Sequence, residues 1–202
     1  MKGSIALIGF MGAGKSHVGM LIAHRLKVPF VDTDALITEQ LGPIDALFAQ
    51  QGEAHFRSVE RNVAVEALAR ASTTPSVVAL GGGAVMDDDV RQALAVLAHV
   101  VWLSAPVDVL LARCGGSVGV ADGEGATRPL ARDEGVFRRL YAQRRAVYEQ
   151  VATATVDNDG VRPLDEVVAA VVALAEGGQG GRTRRVSETS SEAGEARGTC
   201  DD

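Results

Sequence analysis

The chain has 202 residues, of which 47% are hydrophobic and 23% are charged, and these values predict one domain with a sizeable core. The formal net charge of −6 argues against a basic surface for nucleic acid or an anionic membrane. No apolar run reaches the length of a membrane span, and two cysteines do not form a disulfide framework. Because the sequence also begins directly with a predicted strand, we expect a cytoplasmic protein with no signal peptide.

Apolar segments and amphipathic segments alternate along the chain. Strands are predicted at residues 4–9, 29–31, 76–80, 99–103 and 154–156. Helices are predicted at residues 14–26, 33–41, 43–51, 53–70, 87–97, 107–113, 132–151 and 163–175. This alternation predicts an α/β fold of three layers, α/β/α, with a five-stranded parallel sheet. Residues 177–202 are rich in Gly, Ser, Thr, Glu and Arg, which predicts a disordered tail.

Residues 9–16, GFMGAGKS, fit the phosphate-loop pattern G-x-x-x-x-G-K-[ST]. The pattern lies between a predicted strand and a predicted helix, which is the context that supports it. Its glycines allow backbone N–H groups to point at phosphate oxygens beside a helix N-terminus. Lys15 adds a mobile positive charge and Ser16 a hydroxyl that can ligate Mg²⁺. Only three lysines occur beside 17 arginines, so a lysine at this position is informative.

Two further strand ends carry unusual residues. Asp32 and Asp34 follow the second strand, and Gly81-Gly82-Gly83 follows the third. One carboxylate near Ser16 can hold Mg²⁺ through its waters, and the other can accept a proton from an acceptor hydroxyl. On an extended backbone the two aspartates point to the same side; the alternative is that one only caps the next helix. Three glycines let the backbone approach a ligand closely, although a simple tight turn is equally possible.

Arginines form the remaining candidate site residues. Arg57 and Glu60 are spaced i, i+3 on a predicted helix, so one can orient the other, although an exposed ion pair is the more common meaning. Arg144 follows in a later helix. Arg128 lies near the end of a glycine-rich stretch that predicts a lid or a disordered loop, and in a lid this arginine could move onto the phosphates.

These segments together resemble the shikimate kinases. They are the phosphate loop, Asp32-Thr33-Asp34, Phe56-Arg57-x-x-Glu60, Gly81-Gly82-Gly83, Arg128-Pro129-Leu130 and Arg144-x-x-x-Tyr148. The resemblance covers residues 2–175. It implies a P-loop kinase domain at 1–176, with a mobile lid at about 114–131 and a fold like that of nucleoside monophosphate kinases. It also implies ATP- and Mg²⁺-dependent phosphorylation of the 3-hydroxyl of shikimate, in aromatic amino acid biosynthesis.

The resemblance also implies roles for single residues. ATP would be bound by Gly12, Ala13, Gly14, Lys15, Ser16, His17, Arg113 and Arg128, with Arg113 stacked on adenine. Shikimate would be bound by Asp34, Arg57, Gly81, Gly82, Gly83 and Arg144. Ser16 and Asp32 would hold Mg²⁺. Asp34, Lys15 and Arg128 would take part in catalysis.

The chain also departs from the family pattern. Ala146 stands where a proline is common, His17 stands where a small or hydroxylated residue is common, and the lid is longer by residues 118–126. The adenine contact after the last strand falls near Arg162 without a clear alignment.

Two alternatives to shikimate kinase remain at the sequence level. One is a related kinase that acts on gluconate or a nucleotide. The other is a nucleotide-binding switch without transfer chemistry, although a guanine-reading Asn-Lys-x-Asp does not occur in the chain. No exposed apolar stripe stands out, so we expect a monomer. The resemblance implies ATP and shikimate as its ligands.

Overall fold

The computed structural model describes residues 3–115, 133–177 and 184–186. Six strands occur there: β1 Ile5–Ile8, β2 Phe30–Asp32, β3 Val77–Ala79, β4 His99–Ser104, β5 Ala154–Asp157 and β6 Arg184–Val186. The α-helices are α1 Lys15–Leu26, α2 Thr33–Leu41, α3 Ile44–Thr73, α4 Asp88–Ala95, α5 Val107–Gly115, α6 Glu134–Val151 and α7 Leu164–Glu176. A short 3₁₀ helix, η1, spans Ala84–Met86.

The strands form one parallel sheet in the order β2-β3-β1-β4-β5-β6. All four residues of β1 are buried, as expected for a central strand covered by helices on both faces. Helix α1 packs against α7, and α3 packs against α4. The predicted α/β fold with five parallel strands is therefore confirmed for β1 to β5.

The sixth strand corrects the sequence analysis. Residues 184–186 lie within the tail that was expected to be disordered, yet they pair with β5 in parallel register, Ala154 opposite Arg184. Without β6, strand β5 would present unpaired N–H and C=O groups along its outer edge. Main-chain pairing satisfies these groups without needing an apolar pattern, and composition therefore did not reveal the strand. Residues 178–183 and 187–202 lie outside the described residues.

The sheet brings three loops together at the carboxyl ends of its strands. Strand β1 pairs with β3, and β3 pairs with β2. The phosphate loop after β1 is therefore flanked by Gly81–Gly83 after β3, and Asp32–Asp34 lies one strand further out. Ligands in open parallel sheets lie at this edge.

Helices α2 and α3 form a hairpin with a small core of its own, made by Ile37, Leu47 and Phe56. Helix α3 is interrupted at Gly52, whose φ of 80° and ψ of 167° are not helical. The predicted break between two helical pieces therefore occurs at the predicted glycine. This hairpin carries Arg57 and Glu60 towards the carboxyl edge of the sheet.

The predicted lid is only partly described, because residues 116–132 lie outside the described ranges. Helix α6 begins at Glu134, close to the predicted start, and Asp133 caps it through a bond from the Val136 N–H to its carboxylate. Among the helices of the described ranges, none combines the length and apolar character needed to span a bilayer.

Candidate active site

The phosphate loop has the strand–loop–helix setting that the sequence predicts. Gly12 and Gly14 have positive φ values of 79° and 84°. A Cβ added to Gly12 would lie 2.8 Å from the Leu110 carbonyl oxygen, so this position also lacks room for a side chain. Gly14 forms the N-cap of α1. The loop therefore presents the N-terminus of a helix, an arrangement that binds anions.

Lys15 lies folded against this loop and is 8% exposed. Its Nζ donates hydrogen bonds to the Gly9 and Phe10 carbonyl oxygens at 2.9 and 3.1 Å. The ammonium is therefore held at the loop itself, on a flexible stem that can turn towards a bound phosphate.

A cavity of about 300 Å³ opens in front of the loop. It is lined by Gly12, Gly14, Lys15, Ser16, His17, Asp32, Asp34, Leu80, Arg113 and Cys114. The structure thus brings together most of the residues expected for ATP and Mg²⁺ and the expected catalytic carboxylate.

The two aspartates differ in their local roles. Asp32 caps α2, because its Oδ1 accepts hydrogen bonds from the Asp34 and Ala35 N–H groups at 3.0 and 3.2 Å. Asp34 lies in the first turn of α2. The expectation that an extended backbone would align the pair was therefore wrong, because helix α2 begins at Thr33. Both carboxylates still line the phosphate cavity.

The donor set suits a hard cation. The Ser16 hydroxyl and the Asp32 and Asp34 carboxylates face one cavity. Within residues 3–115 and 133–177, no group of three or more His, Cys, Asp or Glu could form a full metal cage. Mg²⁺ fits such a place, because it keeps several waters and is bound by few protein oxygens together with substrate phosphates.

The three glycines after β3 make room for charged side chains. A Cβ on Gly81 would lie 2.6 Å from both Asp34 Oδ1 and Glu60 Oε1, and a Cβ on Gly83 would lie 2.4 Å from Arg57 Nη1. The Gly81 N–H donates to Thr33 Oγ1 at 2.9 Å, which joins the β3 and β2 ends. The triplet is therefore more than a tight turn, because the Asp34 and Arg57 side chains pack directly against its backbone.

Arg57 and Glu60 form a partly buried ion pair. Arg57 Nη1 lies 2.6 Å from Glu60 Oε2, and the Glu60 side chain is only 4% exposed. The alternative of an exposed helical pair is therefore wrong for Glu60. Burial raises the pKa of Glu60, and the Arg57 guanidinium opposes that shift. Arg57 also packs near the Phe48 and Phe56 rings, which fix its direction.

Arg144 approaches the glycine triplet from helix α6. It is 7% exposed, and its guanidinium carbon lies 5.4 Å from the centre of the Phe10 ring. Its Nη1 donates to the Gly82 carbonyl oxygen at 3.2 Å, and Tyr148 Oη donates to the same oxygen at 2.5 Å. Arg57 and Arg144 therefore lie against neighbouring glycines of one short segment. The sequence analysis assigned no role to Phe10 or Tyr148.

A second cavity adjoins the first beyond Arg113. It is lined by Gly14, His17, Val18, Arg113, Asn158, Gly160, Val161, Arg162, Pro163 and Leu164. Arg113 Nη1 donates to the Asn158 and Gly12 carbonyl oxygens at 2.8 and 3.3 Å. The expected adenine-side residue Arg113 therefore faces one space with Arg162, the residue near which the family's adenine contact falls.

Arg128 and Asn158 remain to be placed relative to the expected site. Arg128 lies outside the described residues, so its place in the lid stays a prediction. Asn158 was missed, although an Asn that follows a predicted strand at the carboxyl edge of the sheet was a usable signal. A further groove, at Pro29, Leu36 and Arg70 between α2 and α3, is lined by no residue of the phosphate loop.

Known proteins are similar to this chain in sequence. A family model described as shikimate kinase matches residues 11–176. A shikimate kinase of Salinibacter ruber is 43% identical over 181 residues, which cover 83% of this chain and 82% of that protein. One of Salinispora tropica is 42% identical over 172 residues, covering 83% of this chain and 95% of that protein.

Solved structures agree with the sequence relatives. A shikimate kinase from Acinetobacter baumannii in complex with shikimate superposes with a TM-score of 0.75 at 30% identity, covering 87% of this chain and 93% of that one. A gluconokinase from Sinorhizobium meliloti has a TM-score of 0.56 at 23% identity, covering 86% and 92%, and shows a shared fold alone. With a matching family model over most of its length and relatives above 40% identity, this chain belongs to the shikimate kinase family.

Proposed function

We propose that the chain transfers the γ-phosphoryl group of ATP to the 3-hydroxyl of shikimate, giving shikimate 3-phosphate for aromatic amino acid biosynthesis. One observation carries the proposal beyond family membership. Asp34 and Arg57 lie on the glycine triplet directly beside the phosphate loop. A carboxylate and a fixed guanidinium at that position suit an acceptor that is both an alcohol and an anion. We also expect the protein to act as a monomer.

The nucleotide would lie across the two adjoining cavities. Its phosphates would meet the backbone of residues 12–16 and the Lys15 ammonium, while its base would occupy the space between Arg113 and Arg162. A guanidinium plane suits a base in a chain with few aromatic residues. His17 lines both cavities, which supports its assignment to the nucleotide site.

Mg²⁺ would be held by the Ser16 hydroxyl and, through water, by Asp32. The Asp32 side chain uses Oδ1 as the cap of α2, so its position is fixed relative to that helix. When bound, the ion neutralises charge on the phosphates. The chain's own task there is to keep a hydroxyl and a carboxylate facing the same cavity.

The acceptor's carboxylate would be bound by Arg57 and Arg144, which approach the glycine triplet from α3 and α6. Glu60 orients Arg57, since its buried carboxylate lies 2.6 Å from Arg57 Nη1. The backbone of Gly81 to Gly83 carries no side chains, so it would contact the ring hydroxyls of the acceptor directly.

The transfer step would depend on position and charge. Asp34 would take the proton of the attacking hydroxyl, or orient that hydroxyl, as the oxygen approaches phosphorus in line with the leaving oxygen. Lys15 would leave the Gly9 and Phe10 carbonyls and follow the charge on the phosphate oxygens. Arg128 would add a second positive charge when the lid closes. Such groups act by stabilising charge that spreads over the transferring phosphoryl group.

Gly83→Ala is expected to raise the KM for shikimate by about tenfold with little change in the KM for ATP. An added Cβ would lie 2.4 Å from Arg57 Nη1. The φ of −101° at this position suits alanine, so the strain falls on Arg57 and not on the backbone. Steady-state kinetics with each substrate varied in turn would measure the effect.

Ser58→Ala is the control, because Ser58 is exposed on α3 next to Arg57 and has no assigned role in binding. The control should keep both KM values. An unchanged shikimate KM in Gly83→Ala would show that Arg57 does not contact the acceptor.

A coupled assay of ADP release tests the function itself. The protein would be given ATP and Mg²⁺ with shikimate, gluconate or a nucleoside monophosphate. We expect turnover with shikimate alone. Activity with another acceptor would support phosphoryl transfer at the phosphate loop but contradict shikimate as the substrate. ADP binding without any transfer would support a nucleotide-binding switch.

A further inference from the structure

Asn158 connects three parts of the nucleotide site. It follows β5 directly and is 7% exposed. Its side-chain Nδ2 donates to the Ala13 carbonyl oxygen at 2.8 Å, and its backbone N–H donates to the Ser104 carbonyl oxygen at 2.7 Å. Its own carbonyl oxygen accepts from Arg113 Nη1 at 2.8 Å. One buried residue therefore joins the end of β4, the phosphate loop and the arginine that separates the two cavities.

The bond to Ala13 fixes the direction of a peptide group. In a trans peptide the C=O of one residue and the N–H of the next point in opposite directions, and the described chain contains no cis peptide bond. Because the Ala13 carbonyl points at Asn158, the Gly14 N–H points away from Asn158. Gly14 is the N-cap of α1 and lines the phosphate cavity. An N–H group at this place is one that an anion can accept.

The Asn158 side chain also packs closely against Gly14, the residue after Ala13. A Cβ added to Gly14 would lie 2.8 Å from Asn158 Nδ2, and the Gly14 φ of 84° already favours glycine. The amide of Asn158 is therefore seated on the loop at the residue whose N–H it orients. If Asn158 only filled space, its Nδ2 would not need to donate to the Ala13 carbonyl oxygen.

We propose that Asn158 is a positioning residue for the nucleotide phosphates. By holding the Ala13 carbonyl, it keeps the Gly14 N–H directed at the phosphate site before the nucleotide binds. The inference rests on the proposed function, since ATP is the ligand that the loop would bind. Asn158 lines the adjoining cavity and not the phosphate cavity, so it would act on the phosphates through the loop.

Asn158→Asp and Asn158→Ala test the proposal together. Asp has the same shape but cannot donate to the Ala13 carbonyl, and Ala removes the donor without adding charge. We expect the dissociation constants of ADP and inorganic tripolyphosphate to rise about tenfold in both variants, because a buried acceptor loses its partner. Asn158 also lines the cavity assigned to the base, so adenosine, which has no phosphate, is measured as well, and its affinity should fall much less than that of tripolyphosphate. Ligand-observed NMR or calorimetry on the full chain would supply these values.

Asn62→Asp is the control, because this residue is exposed on α3 and the substitution changes the charge equally. It should bind all three ligands as the wild type does. Wild-type affinity for tripolyphosphate in Asn158→Ala would overturn the proposal. An equal loss for adenosine and tripolyphosphate would also overturn it, because it would indicate collapse of the whole nucleotide site.

These binding measurements require no acceptor. A wild type that is silent with shikimate, but whose ADP affinity falls in the Asn158 variants, would retire the proposed acceptor and keep the role of Asn158. Turnover with shikimate together with unchanged nucleotide affinity in the variants would support the proposed acceptor and overturn the role of Asn158. In the active enzyme we expect the KM for ATP to rise while the KM for shikimate is kept.

Discussion

Asn in place of Asp34 is expected to lower turnover with shikimate by about 10³-fold, within the range found when a general base is removed. The amide matches the carboxylate in shape but cannot take the proton of the acceptor hydroxyl. Asp34 lies in the first turn of α2 and faces the cavity of the phosphate loop. A Cβ on Gly81 would lie 2.6 Å from Asp34 Oδ1, so this carboxylate lies against the glycine triplet. ADP binding should be kept, because the loop is untouched.

Asp45→Asn provides the matched control in the same helical hairpin. Asp45 is exposed in the first turn of α3 and accepts a hydrogen bond from the Ala46 N–H at 2.9 Å. Its variant should turn over normally. The comparison is made on kcat under saturating ATP and shikimate, with ADP affinity measured in parallel. If Asp34→Asn kept normal turnover, Asp34 would be neither base nor orienter.

The fold was predictable where local residues carry a physical constraint. The glycines of residues 9–16 allow the positive φ values that a tight phosphate-binding turn needs, and the apolar segment before them forms the buried strand β1. Gly52 interrupts α3, as a glycine between helical patterns predicts. Strand β6 was not predictable in the same way. It pairs through its main chain with an exposed sheet edge, and main-chain pairing leaves little signal in the side-chain pattern.

Parts of the candidate site depended on distances that no sequence pattern contains. The i, i+3 spacing of Arg57 and Glu60 predicts that they meet, but it does not say which helix face is buried. The structure places Glu60 inside, next to Asp34 and Arg144. The position of Asn158 after a predicted strand was a signal for the site, but its partner Ala13 is 145 residues away, so the sequence did not indicate that contact. The triple glycine was ambiguous until the added-Cβ distances related it to Asp34 and Arg57.

Arg57→Lys is expected to lower kcat/KM for shikimate by roughly a hundredfold, mainly through KM. Lysine keeps the positive charge, so Glu60 retains a partner and the fold is preserved. Arg57→Ala would instead leave a buried carboxylate unpaired and confuse binding with stability. A compact ammonium cannot present two parallel N–H groups to a carboxylate while it also binds Glu60. The loss of kcat/KM therefore measures the paired N–H groups of the planar guanidinium and not its charge.

Arg61→Lys, one turn further along α3, separates this effect from a general intolerance of the helix. Arg61 is partly exposed, and its Nη1 lies 3.7 Å from Asp89 Oδ2, so its replacement should leave kcat/KM unchanged. Shikimate analogues without the carboxylate sharpen the test, because Arg57→Lys should not reduce their already weak turnover further. An equal reduction for shikimate and for the analogue would mean that Arg57 orders the glycine triplet and does not bind the acceptor's anionic group.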